Sequence, residues 1–244
     1  MTDRAHPTST TDQGLALARL WAGPVGVRRG PVPKISLDRI VDAAVGIARS
    51  EGLPRVTVSS VADEVGCAKM ALYRHISNRG DLLAAMIDRA LGPAPRLDGT
   101  EQENVIVLWD SLLEVYERDP WLLALPAETN ALTPHNLEWI DAALGVLEGC
   151  GVPRHERLEM VLLITENARF AARRHHSSRG TTSDLDALMA SAAEASPRLP
   201  AERFPHLAAQ VESGSGTSPR HHDWRALARD HVVRSLAAYD TGRA

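Results

Sequence analysis

The sequence predicts an all-α fold. Apolar residues recur three and four positions apart through every long segment, which is the spacing of a buried helix face. Gly and Pro interrupt these segments at intervals that suit helices of ordinary length, and Ser, Thr, Asp or Asn follows several of the interruptions. No segment alternates apolar and polar residues as a half-buried strand does. We therefore expect helices joined by short turns along the chain.

The charge of the chain is unevenly distributed. The 244 residues carry a net charge of −4, with the 44% apolar and 24% charged residues of an ordinary soluble globular protein. Residues 1–92 contain 12 basic and 9 acidic residues, a balance of +3, whereas the remainder contains 15 and 22, a balance of −7. A weakly basic first third on an acidic body is typical of a DNA-binding regulator built in two parts.

Cysteine content and hydropathy exclude several classes of protein. Cys67 and Cys150 are the only cysteines in the sequence, too few for a disulfide scaffold or a cysteine-ligated zinc site. No apolar run approaches the roughly 20 residues that span a bilayer, and the N-terminus lacks the apolar core of a signal peptide. We therefore expect a cytoplasmic protein with no membrane partner and with reduced thiols.

Residues 1–33 are predicted to form a disordered arm. They are rich in Ser, Thr, Pro, Gly and Arg, and only the stretch "LALARLWAG" can form a turn or two of helix. Arg28 and Arg29 at the end of the arm suggest a contact with a minor groove of DNA. The alternative is a solvated tail that contacts nothing.

Four short helices are predicted in residues 34–91. Each ends at a glycine or a turn, and three of them follow a residue whose side chain can cap the first helical turn. Their inward faces carry apolar residues three or four positions apart. The predicted limits are Ser36 to Gly52, Thr57 to Gly66, about residues 68–76, and Asn78 to Gly92.

The helical pattern continues from residue 98 onward. Thr100 and Glu103 form a capping box, and Thr133 is the N-cap of a helix that ends at Gly149. The remaining predictions are helices at 153–178 and 182–195, a Gly/Ser linker at 211–220, and a last helix capped by Asp223 that reaches Tyr239.

Residues 57–76 have the spacing of a helix-turn-helix. Ala62 is small enough to let two helices touch, and Gly66 can adopt the positive φ that a tight turn needs. The outer face of the second helix then carries groups suited to phosphates and base edges. This motif alone also suits an ordinary helical hairpin.

The residues around the motif are more specific. A first helix is followed by Glu-Gly-Leu at 51–53, a capping Thr, Val-Ala-x-x-x-Gly at 61–66, Leu-Tyr-x-His at 72–75, a basic residue and Leu-Leu. With this pattern, residues 36–91 closely resemble the TetR family of bacterial transcriptional repressors. The resemblance implies an N-terminal three-helix helix-turn-helix DNA-binding domain, residues 34–91, joined to a larger helical ligand-binding and dimerisation domain, residues 98–241.

The resemblance also implies which residues contact DNA. Ser59 departs from the family, since many members have Arg there, and this chain can read its operator with one fewer guanidinium. For His75 a hydrogen bond within the domain is the alternative. By position, the implied contacts are Thr57, Ser59 and Ser60 at the start of the second helix, Lys69, Met70 and Ala71 at the base-reading positions, Tyr73, Arg74 and His75 at the DNA backbone, and Arg79 on a phosphate.

Residues 100–240 resemble the tetracycline-repressor-like subfamily more loosely. The resemblance implies that a small effector binds inside a helical cage and that two C-terminal helices form a homodimer. The predicted helices 153–178 and 223–240 match those two helices, and their Ala-rich faces allow close approach. These faces carry Ala168, Ala171 and Ala172 on one helix and Ala226, Ala237 and Ala238 on the other.

Candidate pocket residues are amphipathic side chains within mostly apolar helices, the mixture that orients a ligand in a pocket. Plain core packing or a dimer contact is the alternative for each. No cofactor and no metal are predicted, because the histidine pairs 175–176 and 221–222 lack a third ligand at helical spacing. The candidates are Trp109, Trp121, His135, Trp139, Glu166, Asn167 and Phe170.

The sequence therefore predicts a ligand-responsive transcriptional repressor that binds a near-palindromic, double-stranded operator as a homodimer and leaves it when a small-molecule effector binds. One alternative is a ligand-binding helical regulator whose DNA binding is weak or lost. The other is a helical enzyme, which the sequence disfavours because it contains no His-Glu-x-x-His, phosphate-binding loop, nucleophile elbow or dinucleotide fingerprint.

Overall fold

The structure is a computed structural model that describes residues 14–22, 35–126, 132–178 and 224–240, with isolated positions at 191, 194, 204–206 and 209. These residues form α-helices and two short 3-10 turns, with no strand among them, which confirms the predicted fold class. The helices are α1 Leu15–Ala22, α2 Leu37–Glu51, α3 Val58–Val65, α4 Lys69–Leu72, α5 Arg79–Leu91, α6 Glu101–Arg118, α7 Pro134–Gly149, α8 Arg157–Ser178 and α9 Trp224–Asp240. The 3-10 turns are Leu53–Arg55 and Pro120–Ala124.

The predicted side-chain caps form at Ser36, Thr57, Asn78 and Thr100. Thr133 precedes α7 as predicted, but its buried hydroxyl makes no cap hydrogen bond. The Ser36 hydroxyl accepts the Arg39 amide at 3.3 Å, and the Asn78 side chain accepts the amide of Asp81 at 2.9 Å. Thr100 and Glu103 form the predicted capping box, with the Glu103 carboxylate accepting the Thr100 amide at 2.8 Å. These caps satisfy amides that have no partner inside the helix, and each stabilises its helix by about 1 kcal/mol.

Helices α3 and α4 form the predicted helix-turn-helix. Gly66 has φ 75° and ψ 44°, the left-handed conformation that only glycine adopts without strain, and its amide donates to Ala62 at 3.0 Å. Ala62 and Leu72 are buried between the helices. Helix α4 is shorter than the predicted 68–76 because it gives way after Leu72 to a turn, in which the amides of His75 and Ile76 both donate to the Leu72 carbonyl. The turn brings Ile76 into the core.

The stretch "LALARLWAG", in which the sequence allowed a turn or two of helix, forms helix α1; its packing against α5 was not predicted. Ala16 is fully buried, and the carboxylate of Asp81 accepts the amides of Ala16 at 3.0 Å and Leu17 at 3.1 Å. The acceptor lies more than 60 residues away in sequence, which explains why the local pattern indicated a short helix but not where it packs. Arg28, Arg29 and their proposed groove contact lie outside the described residues.

Helices α6 to α9 form the second group. Trp109 of α6 is fully buried, and α6 packs against α7, α8 and α9. The last helix is confirmed as α9, and the predicted helix 153–178 begins at Arg157. The predicted cap at Asp223 and the linker at 211–220 lie outside the described residues, as does nearly all of the predicted helix 182–195. Within the part of the chain that is described, no helix is both long and apolar enough to cross a membrane.

A buried carboxylate joins the two groups of helices. Asp119, which follows α6 and is 0% exposed, accepts the Nε and Nη2 of Arg49 from α2 at 2.7 and 2.9 Å. It also accepts Arg118 Nε and the indole N–H of Trp121, each at 2.9 Å. A second join is made by His135, whose amide donates to Asp88 of α5 at 2.9 Å. The two groups therefore contact each other through paired polar side chains; the division at residues 91 and 98 stays a prediction.

Candidate DNA-binding surface and effector cavity

Helix α4 presents its polar face to solvent. Lys69, Tyr73 and Arg74 are exposed, and Met70 is 76% exposed, which is unusual for a large apolar side chain in a folded domain. Ala71 is half-buried beside them. The core side of the same turn is occupied by Leu72 and Ile76, so the two faces of this segment are separated as the sequence predicted.

The first turn of α3 has a structural role of its own. Thr57 and Ser60 form a capping box, in which Thr57 Oγ1 accepts the Ser60 amide at 3.0 Å and Ser60 Oγ accepts the Thr57 amide at 3.0 Å. The Ser60 hydroxyl also donates to the Arg55 carbonyl at 2.8 Å. Ser59 is half-buried on the same turn. Thr57 and Arg79 line one shallow depression, which places the starts of α3 and α5 side by side.

His75 is held by α1, which the sequence did not predict. Arg19 Nη1 lies 2.5 Å from His75 Nδ1, and Arg19 Nη2 donates to the Arg74 carbonyl at 3.0 Å. Burial lowers the pKa of His75, and the charges of Arg19 and Arg74 lower it further. His75 is therefore neutral at pH 7. Its Nδ1 atom makes a hydrogen bond within the domain, which was the alternative to a contact with DNA.

This surface is basic because acidic residues are missing from the segment that forms it. The sequence contains Lys69, Arg74 and Arg79 but no Asp or Glu between Gly66 and Gly80. The next acid, Asp81, is buried and accepts the amides of Ser77 and α1. A cationic face of this kind favours a polyanion, and phosphate contacts supply most of the affinity of DNA-binding proteins.

A cavity of about 170 Å³ lies among α5, α6, α7 and α8. Most of its wall is aliphatic, and α5 contributes Ile87 and Leu91, so the helix that starts at the candidate DNA-binding surface ends in the cavity wall. Sequence reasoning missed most of these residues, because an apolar side chain that lines a cavity has the same helical spacing as one that fills a core. The wall includes Val105, Leu108, Leu112, Leu122, Leu125, Ile140, Ala143, Val146, Val161 and Leu162.

One side of the cavity is polar. Arg169 is 7% exposed, donates through Nη2 to the Leu125 carbonyl at 2.7 Å and lies over the ring of Tyr116. Its Nε is 3.4 Å from the Glu166 carboxylate but makes no hydrogen bond in this geometry. Burial raises the pKa of Tyr116 to about 12, although the Arg169 charge opposes the shift. A neutral phenol, a carboxylate and a guanidinium therefore meet at the edge of an apolar space.

Of the predicted pocket residues, only Trp139 and Glu166 lie in the cavity wall. The indole of Trp109 donates to Asn167 at 2.8 Å, the indole of Trp121 donates to Asp119, and the imidazole Nδ1 of His135 lies 2.9 Å from the Asp88 carboxylate. These four predicted residues therefore make internal polar contacts instead. Phe170 is exposed on the outside of α8. The sequence pattern identified side chains with a polar group, whereas an indole or imidazole in these helices uses that group to pin one helix to another.

The predicted Ala-rich face of α8 does not point outward. Ala168, Ala171 and Ala172 are all buried inside the chain, because α8 turns this side toward its own core. On α9, Ala237 and Ala238 are exposed and Ala226 is half-buried. The exposed apolar residues of these two helices are larger: Leu158, Leu162, Leu163 and Phe170 on α8 and Leu227 on α9.

The rings of His175 and His176 lie 6.2 Å apart, edge to face. Within the described residues, no three His, Cys, Asp or Glu side chains are placed to hold a metal ion. His221 and His222 lie outside those residues.

Residues 40–86 match the family described as "Bacterial regulatory proteins, tetR family". The HTH-type transcriptional repressor DrrR1 of Streptomyces coeruleorubidus is 33% identical to this chain over 179 residues, which cover 70% of the chain and 66% of the repressor. The chain belongs to the TetR family. An HTH-type transcriptional regulator of Saccharopolyspora erythraea is 25% identical over 243 residues and aligns over 96% of this TetR-family chain and 97% of its own length.

Solved structures of TetR-family proteins have the same fold. Apo ActR from Streptomyces coelicolor superposes with a TM-score of 0.67 at 22% identity, covering 86% of this chain and 99% of ActR. ActR in complex with actinorhodin gives a TM-score of 0.65 at 22% identity over the same shares of the two chains. ActR has also been solved in complex with (S)-DNPA. At this identity the likeness establishes the fold of the TetR-family chain and not its ligand.

Proposed function

We propose that this TetR-family regulator is a repressor that binds a near-palindromic operator as a homodimer and releases it when a small molecule enters the cavity. The observation that carries the proposal is the position of α5. Arg79 begins this helix beside the DNA-facing surface, and Ile87 and Leu91 near its end line the cavity. One rigid element therefore touches both places at which a repressor must act.

Operator recognition is assigned to the exposed face of α4 and the turn that follows. Lys69 and Met70 are the most accessible of the proposed base-reading positions, and we assign Tyr73, Arg74 and His75 to contacts with the DNA backbone. Arg79 and the first turn of α3, with Thr57, Ser59 and Ser60, flank them. A two-fold dimer places two such faces in successive major grooves, about 34–36 Å apart on the duplex.

The homodimer is assigned to the outer faces of α8 and α9. Large apolar side chains are exposed there, with Leu163 63% accessible to solvent in the single chain. Monomeric proteins rarely leave several such residues on one surface. Because the alanines of α8 are buried, we assign the contact with a second copy to the exposed Leu158, Leu163 and Phe170 of α8 and Leu227 of α9, and not to the Ala-to-Ala approach expected from the sequence.

The effector is expected to be mostly apolar, with a hydrogen-bonding group at one edge. A cavity of about 170 Å³ is comparable to apolar cavities of about 150 Å³ that hold a benzene ring. A larger effector must displace part of the wall or extend past Leu162, which lines the cavity and is 57% exposed, and Glu166, Arg169 and Tyr116 can bind its polar edge. The complexes of ActR with actinorhodin and with (S)-DNPA support a small-molecule effector for a chain of this fold.

Release follows if the effector binds more tightly to a conformer in which the two α4 helices are wrongly spaced. An effector that presses on Ile87 and Leu91 has that preference, because moving α5 also moves Arg79 and the buried Asp81. The proposal describes a regulator and not an enzyme, and it places the chain in the cytoplasm with bacterial DNA. The alternative of a ligand-binding regulator without DNA binding is supported only by Ser59, where many relatives have a guanidinium.

The test is an electrophoretic mobility shift with the DNA immediately upstream of the chain's own gene, at several salt concentrations. Wild type is expected to shift this fragment, and Lys69→Ala and Arg74→Ala are each expected to weaken binding about tenfold or more. Arg96→Ala is the control, because Arg96 is exposed beyond the far end of α5, roughly 20 Å from Arg79. If wild type causes no shift at any salt concentration, the repressor function is wrong.

A further inference from the structure

Helix α1 is hydrogen-bonded to the turn that follows α4. Asp81 accepts the amides of Ala16 at 3.0 Å, Leu17 at 3.1 Å and Ser77 at 2.8 Å, so one buried carboxylate caps α1 and fixes the end of the turn after α4. The Leu15 amide donates to the Ser77 hydroxyl at 2.9 Å. A carboxylate at a helix N-terminus is favoured by both the free amides and the helix dipole.

The fit at the start of α1 leaves no spare room. A Cβ added to Gly14 would lie 2.0 Å from Asp81 Oδ1 and 2.2 Å from its Cγ, closer than real carbon atoms approach. Because Asp81 is buried and already accepts three amides, it cannot swing away without losing them. A methyl group at residue 14 therefore displaces α1 without changing any charge.

Arg19 is the residue through which α1 reaches the proposed DNA-binding turn. Its guanidinium lies 2.5 Å from His75 Nδ1 and donates to the Arg74 carbonyl at 3.0 Å. A guanidinium has no acceptor atom, so His75 Nδ1 must be the lone-pair nitrogen of a neutral ring. The hydrogen is then assigned to Nε2, which becomes a donor, and a phosphate oxygen is an acceptor.

We infer that Arg19 is a positioning residue for operator binding, which holds His75 as the Nε2–H tautomer so that this nitrogen donates to a DNA phosphate. The inference rests on the proposed function. It gives α1 a role in the DNA-binding domain, because this helix supplies Arg19. Arg19 acts through His75 and the Arg74 carbonyl. It does not serve as a further cation on the DNA backbone.

The first experiment reads the tautomer without DNA. Long-range proton–nitrogen spectra of the full-length, ¹⁵N-labelled protein distinguish the two ring nitrogens, with His75→Gln used to assign the His75 signals. Wild type is expected to show the Nε2–H form, and both Arg19→Ala and Gly14→Ala are expected to show a mixture of tautomers. A wild-type Nδ1–H form, or an unchanged spectrum in Arg19→Ala, overturns the inference whatever the operator result.

The second experiment measures affinity for the upstream DNA fragment as a function of salt. Arg19→Ala is expected to weaken binding about tenfold, the effect of misplacing one hydrogen bond to a charged group, with the slope of log K against log salt unchanged. Added to His75→Ala, the same substitution is expected to have little further effect. Gly14→Ala should reproduce the loss, and Arg96→Ala, which removes one arginine away from α4, should not.

The outcomes separate the possible failures. A salt slope reduced by about one in Arg19→Ala, with an effect that adds fully to that of His75→Ala, identifies Arg19 as a direct phosphate contact and overturns the positioning role. Unchanged affinity in Arg19→Ala overturns it as well. If wild type fails to bind while its spectrum shows the Nε2–H tautomer, the proposed function is wrong. The role of Arg19 in operator binding is then also wrong, although its contact with His75 remains. Thermal unfolding of each variant excludes a general loss of folding.

Discussion

Replacing Asp119 with alanine tests the contact between the two groups of helices. The change leaves the buried indole N–H of Trp121 without a partner, at a cost of about 1–2 kcal/mol. It also removes the ion pairs to Arg49 and Arg118, whose side chains are 45% and 52% exposed, so we discount each pair to about 0.5–1 kcal/mol for solvent screening. The free energy of unfolding is therefore expected to fall by about 3 kcal/mol.

For a chain of this length the change lowers the melting temperature by about 6–12 °C, because each kcal/mol corresponds to about 2–4 °C. The assay is circular dichroism at 222 nm during heating, at one fixed protein concentration so that any dimer contributes equally. Arg55→Ala is the control, since its pair with Glu51 spans 3.7 Å between two exposed side chains and contributes under about 0.5 kcal/mol.

The pH dependence of this difference supplies a second readout. Burial by itself raises the pKa of Asp119, but the hydrogen bonds from Arg49, Arg118 and Trp121 outweigh burial and hold the pKa below its ordinary value of 3.8. Such a carboxyl stabilises the fold fully above its unfolded-state pKa, and its contribution is lost as the pH falls through the folded-state pKa. A melting difference under about 2 °C at neutral pH, or one that does not shrink below about pH 4, would falsify this reasoning.

Three further substitutions test other features. Gly66→Ala places a Cβ at φ 75° with open space around it, so backbone strain alone should cost about 1 kcal/mol in chemical denaturation, whereas Gly46→Ala inside α2 should stabilise slightly. Ala143→Phe fills the cavity and should weaken binding of the fluorescent probe anilinonaphthalene sulfonate about tenfold. Asp141→Phe, on the exposed side of α7, is the control, and equal weakening by this variant would count against a cavity site. Leu163→Arg should dissociate the proposed homodimer in sedimentation velocity, and Leu132→Arg, similarly exposed at 60% but outside α8, should not. An intact dimer in both variants would contradict the assigned face.

Local features of the fold could be predicted from the sequence. The caps at Ser36, Asn78 and Thr100 depend on a side chain and an amide three residues apart, so a short window contains the whole interaction. The turn at Gly66 depends on one backbone conformation, and the motif around it carries the family resemblance. Of these features, the turn at Gly66 lies inside the helix-turn-helix and the cap at Asn78 follows directly after it.

Features that depend on distant partners could not be predicted. The packing of α1 depends on Asp81, which is more than 60 residues away and accepts its first amides, and the ring of His75 contacts Arg19 from that helix. The cavity wall and the inward turn of Ala168 depend on how α8 is rotated in the bundle, which periodicity does not fix when both sides of a helix are apolar. Side chains such as Trp109 and His135 were good candidates chemically but are used to hold helices together.

The shared use of α5 limits how such a regulator can be recombined. A chimera joined between residues 91 and 98 would take its DNA-binding domain from another protein. Positions 87 and 91 would come with that domain, so the α5 side of the cavity wall would no longer match α6, α7 and α8. It would also exchange Asp88, which holds His135, and Arg49, which holds Asp119. Retargeting this protein to another operator is therefore better done by exchanging the proposed base-reading residues 69–71 alone, which leaves the cavity wall, the buried Leu72 and the contact of His75 with Arg19 unchanged.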